Sequence, residues 1–187
     1  GSGKLADNKS TENSRLILVL SAMGKDAKNV GGYDLITPYG DFDWVIHQGI
    51  NGALFALLAL DAGNYAVPYD SDAQIHTTRD MLVEYILAQE LESGGWALFG
   101  SKADPDITAM ALQALALYKN DVKVAAAIEH GLDALSELQQ SNGGYISWGT
   151  ENVESTAQVI IALTALGIDP VNDARFIKNG ANLFTAL

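Results

Sequence analysis

The sequence contains no cysteine among its 187 residues. This absence excludes disulfide bonds, thiolate zinc sites, iron–sulfur clusters and a cysteine nucleophile. Basic residues are few, with 11 Lys and Arg against 23 Asp and Glu, which gives a net charge of −12. Because phosphate groups are bound by Lys and Arg, this charge argues against nucleic acid or an anionic membrane surface as a partner. The sequence also lacks an apolar run of about 18 residues, so no membrane insertion is predicted.

The residues that are present favour one folded domain. The hydrophobic content is 48%, which is too high for a disordered chain. The opening Gly1-Ser2-Gly3 has the composition of a cloning tag. We therefore predict a tag or disordered segment over residues 1–9 and a single repeat domain over residues 10–187. The three histidines are scattered along the chain, and no metal site is predicted from them.

A repeat runs along the chain. Residues 94–96 (Gly-Gly-Trp) and 143–145 (Gly-Gly-Tyr) are turn motifs 49 positions apart, and each precedes a helix with a Thr-Ala pair. An earlier copy of that apolar helix, residues 14–24, aligns with residues 157–167 at an offset of 143 positions. The repeat is about 40–55 residues long, a length typical of helical repeat architectures.

Each repeat has the pattern of a helix pair. One helix is strongly apolar, as expected for an inner layer, and the other is amphipathic, as expected for an outer layer. Thr77 is the expected N-cap of one amphipathic helix. The segment 31–43 contains Pro38 and several glycines, so it is predicted to be a structured loop or a short hairpin. We predict an all-α chain of about eight helices in four pairs, at residues 10–23, 42–48, 51–62, 77–90, 105–118, 122–139, 153–166 and 173–186.

These motifs carry a family resemblance. Gln89 followed by residues 94–96, and Gln139 followed by residues 143–145 and Trp148, resemble the Gln…Gly-x-Trp repeat of terpenoid cyclases and protein prenyltransferases. The resemblance implies an α/α toroid, in which inner helices line a cavity and outer helices surround them; four pairs would form a partial barrel or arc. The chain is most similar to the prenyltransferase-like repeat modules of Gram-positive surface proteins. That similarity implies an extracellular or cell-wall location and allows a cobalamin-like ligand.

One segment resembles a catalytic motif of the same family. Class II cyclases protonate an alkene with an Asp-x-Asp-Asp-Thr-Ala motif, and residues 104–109 are similar to it. The resemblance gives Asp106 the role of general acid and Asp104 that of the first aspartate, while Ile107 replaces the last one. The alternative is structural. Asp104 before a proline is a good N-cap, and a carboxylate in the first turn favours the helix dipole.

The other catalytic sets of the superfamily are incomplete. The zinc site of protein prenyltransferases and the thioester of complement domains both need a cysteine, which this chain lacks. We therefore expect a non-catalytic ligand-binding or scaffold module of a squalene cyclase-like type, without a cofactor of its own. The alternative is a class II terpene cyclase-like enzyme that uses Asp106 as its acid.

Aromatic residues near the repeat turns are the candidate ligand contacts. They would either join inner and outer helices or line a cleft for a flat or sugar-like ligand. The loop 31–43 departs most from the repeat, and such excursions often carry function. The candidate binding residues are Tyr33, Asp41, Asp43, Trp44, Trp96 and Trp148. The expected partners are a small amphipathic ligand, a neighbouring domain of the parent chain, or a second copy that contacts the open ends of the arc.

Overall fold

The computed structural model describes residues 3–187 and confirms an all-α fold. Helices contain 54% of the residues, and the described part of the chain has seven α-helices and one small two-stranded sheet. The chain divides into two compact units; the first ends at Ala88 and the second covers Gln89–Leu187.

The first unit is built around helix α3. Its helices are α1 (Ser10–Ala22), α2 (Phe42–Val45), α3 (Ile50–Ala62) and α4 (Arg79–Ala88), and a 3₁₀ turn over Ile46–Gln48 extends α2. Helix α3 packs against both α1 and α4. Its apolar residues cover every side, and Ala53, Leu54, Leu57 and Leu60 are fully buried. A helix of this composition needs neighbours on several faces, which explains its central position.

The second unit is built in the same way around helix α5. Its elements are α5 (Pro105–Leu115), α6 (Val122–Leu138), the hairpin strands β1 (Ile146–Ser147) and β2 (Thr150–Glu151), and α7 (Val153–Leu166). Helix α5 packs against both α6 and α7. On α7, Val159, Leu163 and Leu166 are buried, Ile160 is half-buried and Ala165 is exposed.

Side-chain caps determine where the helices begin. Asp104, Asp121 and Asn152 each accept two backbone N–H bonds from the first turn of α5, α6 and α7. These bonds satisfy donors that have no partner within the helix. For α4 the prediction was one residue early, because the Thr78 hydroxyl, and not that of Thr77, accepts from the Met81 N–H at 3.1 Å.

The same turn hydrogen bonds occur at both Gly-Gly-aromatic motifs. The Leu91 N–H donates to the Gly95 carbonyl, and the Gln140 N–H donates to the Gly144 carbonyl, each at 2.9 Å. The next backbone bonds, from Asp104 to Trp96 and from Asn152 to Tyr145, are also equivalent. By this alignment Glu90, and not the predicted Gln89, is the counterpart of Gln139.

The predicted helix 173–186 is wrong. The structure has two short 3₁₀ turns there, Ala174–Phe176 and Leu183–Ala186. Between them Asn179 and Gly180 have φ values of 52° and 82°, and a bridge pairs Lys178 with Ala181. Asn and Gly tolerate this left-handed conformation, and it interrupts a helix.

Residues 3–6 differ from the expected disordered tag. The Asn13 amide donates to the Gly3 carbonyl at 2.7 Å, and the Trp44 indole donates to the Ala6 carbonyl at 3.3 Å. Gly3 has a φ of +71° and lies directly against the Asp34 carbonyl. Gly143 has a φ of +91° and lies in the same way against the Asn182 carbonyl. Gly3 is therefore the counterpart of a repeat-turn glycine; residues 1–2 of the predicted tag lie outside the described residues.

Within residues 3–187, no single helix is both long and apolar enough to cross a membrane. The segments Phe42–Gln48 and Ile50–Ala62 reach that length and apolarity only when taken together, and the chain bends by 119° between them.

Candidate functional site

A pocket of about 490 Å³ lies in the second unit, between the N-terminal end of α5 and the β1–β2 hairpin. This volume is within the range of small-molecule sites in proteins. The loop 97–103 forms another wall of it. The residues that line the pocket include aromatic, aliphatic, acidic and basic side chains: Ala97, Leu98, Phe99, Lys102, Ala103, Asp104, Pro105, Asp106, Ile107, Leu138, Ile146, Ser147 and Trp148.

Trp148 lies at the tip of the hairpin in an unfavourable backbone conformation. Trp148 and Gly149 form the two-residue turn between β1 and β2, with φ values of 53° and 82°. Both central residues of such a turn need a positive φ, which is why Asn-Gly is the usual sequence. A tryptophan there has a cost of about 1–2 kcal/mol. Its side chain is 84% exposed, so burial of the ring does not offset that cost.

Phe99 presents a second exposed ring to the same pocket. Its side chain is 82% exposed, and it belongs to the loop between the Gly-Gly-Trp turn and α5. Lys102, on the same loop, is also exposed. The mouth of the pocket therefore carries two aromatic rings and one cationic group that are accessible to a ligand.

An aspartate and a serine form the polar part of the pocket wall. The Ser147 hydroxyl donates to Asp106 Oδ2 at 3.0 Å. Ser147 is buried and Asp106 is half-buried, so this bond joins the hairpin to the first turn of α5. Asp106 retains a second carboxylate oxygen, and a carboxylate accepts several hydrogen bonds.

The other predicted carboxylate, Asp104, has a structural role. Its Oδ1 accepts the Asp106 and Ile107 N–H groups, each at 3.0 Å. This geometry is that of the N-cap, the structural alternative that the sequence left open. Asp104 lines the pocket, but its Oδ1 is already used by the helix.

Trp96 does not contribute to this surface. It is fully buried, and its backbone exchanges hydrogen bonds with the Thr108 hydroxyl. Trp96 and its counterpart Tyr145 fill the core beside the repeat turns. Of the two predicted tryptophans of the second unit, only Trp148 is therefore accessible to a ligand.

In the first unit, the predicted cluster around Trp44 is mainly structural. Trp44 is buried and stacks edge-on against Tyr39, with the ring centroids 5.5 Å apart. Asp41 caps α2 by accepting the Trp44 N–H and lies 3.8 Å from the Lys4 ammonium group. Asp43 is exposed in the first turn of α2. This arrangement leaves little aromatic surface for a ligand.

Tyr33 lies in a separate and smaller pocket. Its side chain is about half exposed and lines a space of about 340 Å³ together with Lys4, Leu5, Leu16 and Val30. Asp41, Asp43 and Trp44 are not among the lining residues. The structure therefore separates the predicted loop site into two parts: the capped first turn of α2, and a smaller, mostly apolar pocket beside Tyr33.

The predicted site residues did not include Phe99, Lys102 or Ser147, which also line the larger pocket. The sequence signal for the hairpin is weak, because Trp148-Gly149 is not one of the Asn-Gly, Asp-Gly or Gly-Gly pairs typical of a two-residue turn. Among residues 3–187, no group of three or more His, Asp or Glu side chains is arranged to hold a metal ion.

Comparison of the chain with protein-family models, curated proteins and solved structures gave no significant match.

Proposed function

We propose that this protein is a ligand-binding module whose site is the pocket between α5 and the β1–β2 hairpin. The observation that carries this proposal is Trp148, an exposed aromatic side chain held at a strained hairpin tip. Backbone strain reduces stability and is concentrated at functional sites, and exposed apolar patches mark binding sites. Phe99, on an independent loop, presents its ring to the same pocket.

The chemistry of the pocket favours a flat or sugar-like ligand. Aromatic rings stack on the apolar face of such a molecule, while Asp106 and Lys102 offer an acceptor and a donor for hydroxyl groups. A cobalamin-like ligand also combines a flat ring with polar groups. It is larger than a pocket of about 490 Å³, so it would be only partly enclosed.

The family resemblance supports the wider setting of this proposal. The alternation of apolar and amphipathic helices and the recurring Gly-Gly-aromatic turns suit an α/α toroid-type repeat. Within each unit, one central helix packs on two others. By the same resemblance, the module belongs to a secreted or cell-surface protein of a Gram-positive bacterium and lies beside other domains of its parent chain.

The alternative, an alkene-protonating enzyme with Asp106 as its acid, is supported less well. Such chemistry needs a closed, water-free cavity, whereas Trp148 and Phe99 are both more than 80% exposed. In addition, the last aspartate of the motif is replaced by Ile107, which is buried.

Isothermal titration calorimetry against panels of glycans and corrinoids tests the binding proposal. We expect binding by one of these classes, and Trp148→Ala or Phe99→Ala should weaken it at least tenfold. Tyr69→Ala is the matched control, because Tyr69 is a 77% exposed aromatic residue of the first unit. Equal affinity in all three variants would refute the proposed site, and no binding in either panel would refute the proposed ligand class.

A stability measurement tests the catalytic alternative. If Asp106 only favours the helix dipole and accepts from Ser147, Asp106→Asn should lower the free energy of unfolding by about 1 kcal/mol or less. A gain in stability above about 1 kcal/mol would instead identify a strained carboxylate of the kind found in active sites.

A further inference from the structure

The two apolar helices α1 and α7 occupy equivalent places in their units. Gly24 and Gly167 both follow the helix with a positive φ. The Lys25 N–H donates to the Leu20 carbonyl, and the Ile168 N–H donates to the Leu163 carbonyl. These bonds fix an offset of 143 positions between the helices, so each residue of α1 has a defined counterpart on α7.

One face of α7 lacks the cover that α1 has. On α1 this face carries Ser10, Ser14 and Ile17, which are fully buried in the unit where α1 packs against α3. The counterparts on α7 are Val153, Ala157 and Ile160. Val153 is 51% exposed, and Ile161, which follows Ile160 in the sequence, is 52% exposed. Ala157 and Ile160 are half-buried, so apolar residues occupy a face that is buried in the first unit and partly open in the second.

The segment after α7 shows the same difference. The Asp34 carboxylate accepts the Ile36 and Thr37 N–H groups, and the Asn182 side chain accepts the Phe184 and Thr185 N–H groups in the same way. Ile36 is 1% exposed, but its counterpart Phe184 is 50% exposed. The segment after α7 therefore also exposes an apolar side chain at a position that is buried in the first unit.

The opposite face is open on α1 instead. On α7 this face carries Val159, Ala162 and Leu166, which are buried in the unit where α7 packs against α5. The counterparts on α1 are Leu16, Val19 and Met23. Val19 is 55% exposed and Met23 is 64% exposed. The chain therefore presents two open apolar faces, one on α7 and one on α1. The open face of α7 is equivalent to the face that α1 packs against α3, and the open face of α1 is equivalent to the face that α7 packs against α5.

We propose that α7 of one copy binds α1 of a second copy, in the arrangement that α5 and α7 adopt within the second unit. Burial of Val153, Ile161 and Phe184 against Leu16, Val19 and Met23 would remove both apolar surfaces from water. The two faces are different, so the contact is heterologous and produces head-to-tail chains or a closed ring. This interaction does not depend on the proposed ligand.

Sedimentation velocity over a wide concentration range, with single-face variants, tests this proposal. The wild-type chain should form species that grow with concentration. Ile161→Glu and Met23→Glu should each remain monomeric, because each blocks one half of the contact. A mixture of the two should form a 1:1 dimer and nothing larger, because one intact α7 face and one intact α1 face remain. Val122→Glu, at an 85% exposed position of α6, is the control and should associate like the wild type.

Other results would overturn the proposal. A wild-type chain that stays monomeric at every concentration would exclude a second copy as the occupant and leave these faces to another partner. Self-association of Met23→Glu alone would indicate that α7 pairs with α7. A mixture that stays monomeric would exclude the α7–α1 contact. Thermal unfolding followed by circular dichroism should show that all variants are folded, since every substituted residue is exposed.

Discussion

At the scale of single residues, Trp148 combines an unfavourable backbone with an exposed ring. Neither feature stabilises the fold, whereas Asn at this position would fit the turn between β1 and β2. The nearby Ser147–Asp106 bond holds the hairpin against α5 independently of the indole. If the turn is part of the proposed binding site, its exposed indole is retained at the expense of stability.

Trp148→Asn should stabilise the protein while it removes ligand binding. Relief of the left-handed tryptophan should raise the free energy of unfolding by about 1–2 kcal/mol, measured by urea denaturation. The affinity found by calorimetry should fall together with that of Trp148→Ala. A loss of stability in Trp148→Asn would show that the indole makes contacts that stabilise the fold, and would contradict our interpretation of the turn.

At the scale of the elements, the repeat turns depend on close backbone contacts. A Cβ added to Gly143 would lie 2.2 Å from the Asn182 carbonyl oxygen, whereas one added to Gly149 would meet nothing within 4 Å. Both glycines have a positive φ, so the two positions differ mainly in the space around them.

Gly143→Ala should therefore destabilise the protein more than Gly149→Ala. Both variants have a backbone cost of about 1 kcal/mol. Gly143→Ala must also displace the segment after Asn182, which we expect to add at least about 1 kcal/mol. Chemical denaturation of the two variants under the same conditions measures this difference. If both variants lose the same free energy of unfolding, the segment at Asn182 can move to accommodate the added methyl group without an energetic cost.

The packing of α7 gives a second contrast between matched positions. Leu163 is fully buried, and Ile161, two residues earlier, is 52% exposed. Leu163→Ala should lower the free energy of unfolding by about 2–5 kcal/mol, because it leaves a cavity. Ile161→Ala should lower it by less than about 1 kcal/mol in the monomer. Similar losses at both positions, measured at low protein concentration, would contradict the burial that we describe for α7.

The helices could be predicted from the sequence where apolar spacing and capping residues agree. Asp104 and Asn152 mark the beginnings of α5 and α7, and Gly167 marks the end of α7. Residues 173–186 also have apolar side chains at helical spacing, but Asn179-Gly180 imposes a turn there. The hairpin was missed because each of its strands has only two residues, too few for a period of two to be recognised.

At the scale of the whole molecule, the candidate site could be predicted only in part. Trp148 and Asp106 were candidates for different reasons, and no sequence pattern indicated that they line one pocket. Phe99 and Trp148 are 49 residues apart, and their proximity depends on how α5 packs against its neighbours. Helix periodicity does not specify such long-range contacts. Conversely, Trp96 and Trp44 were predicted to contact a ligand because they are aromatic, but both are buried.

Each unit also contains a buried tyrosine that titrates as the pH rises. Burial raises the pKa of Tyr39 in the first unit, although its hydrogen bond with Ser14 partly opposes this effect, and burial raises the pKa of Tyr145 in the second. The Tyr145 hydroxyl donates to the Leu135 carbonyl at 2.9 Å. The folded state therefore favours the neutral form of both phenols, whereas in the unfolded chain they ionise near their ordinary pKa of about 10.

The protein should consequently lose stability in alkaline solution. A group whose pKa is raised by folding contributes its stability in full below the unfolded pKa, and that contribution is lost as the pH rises towards the folded pKa. We expect the free energy of unfolding to fall as the pH increases above about 10, measured by urea denaturation at a series of pH values. Tyr145→Phe removes one of the two phenols, so its stability should fall less steeply over this range, although it starts about 1 kcal/mol lower because the bond to Leu135 is lost. If the wild type and Tyr145→Phe show the same slope, Tyr145 is not responsible for the loss of stability in alkaline solution.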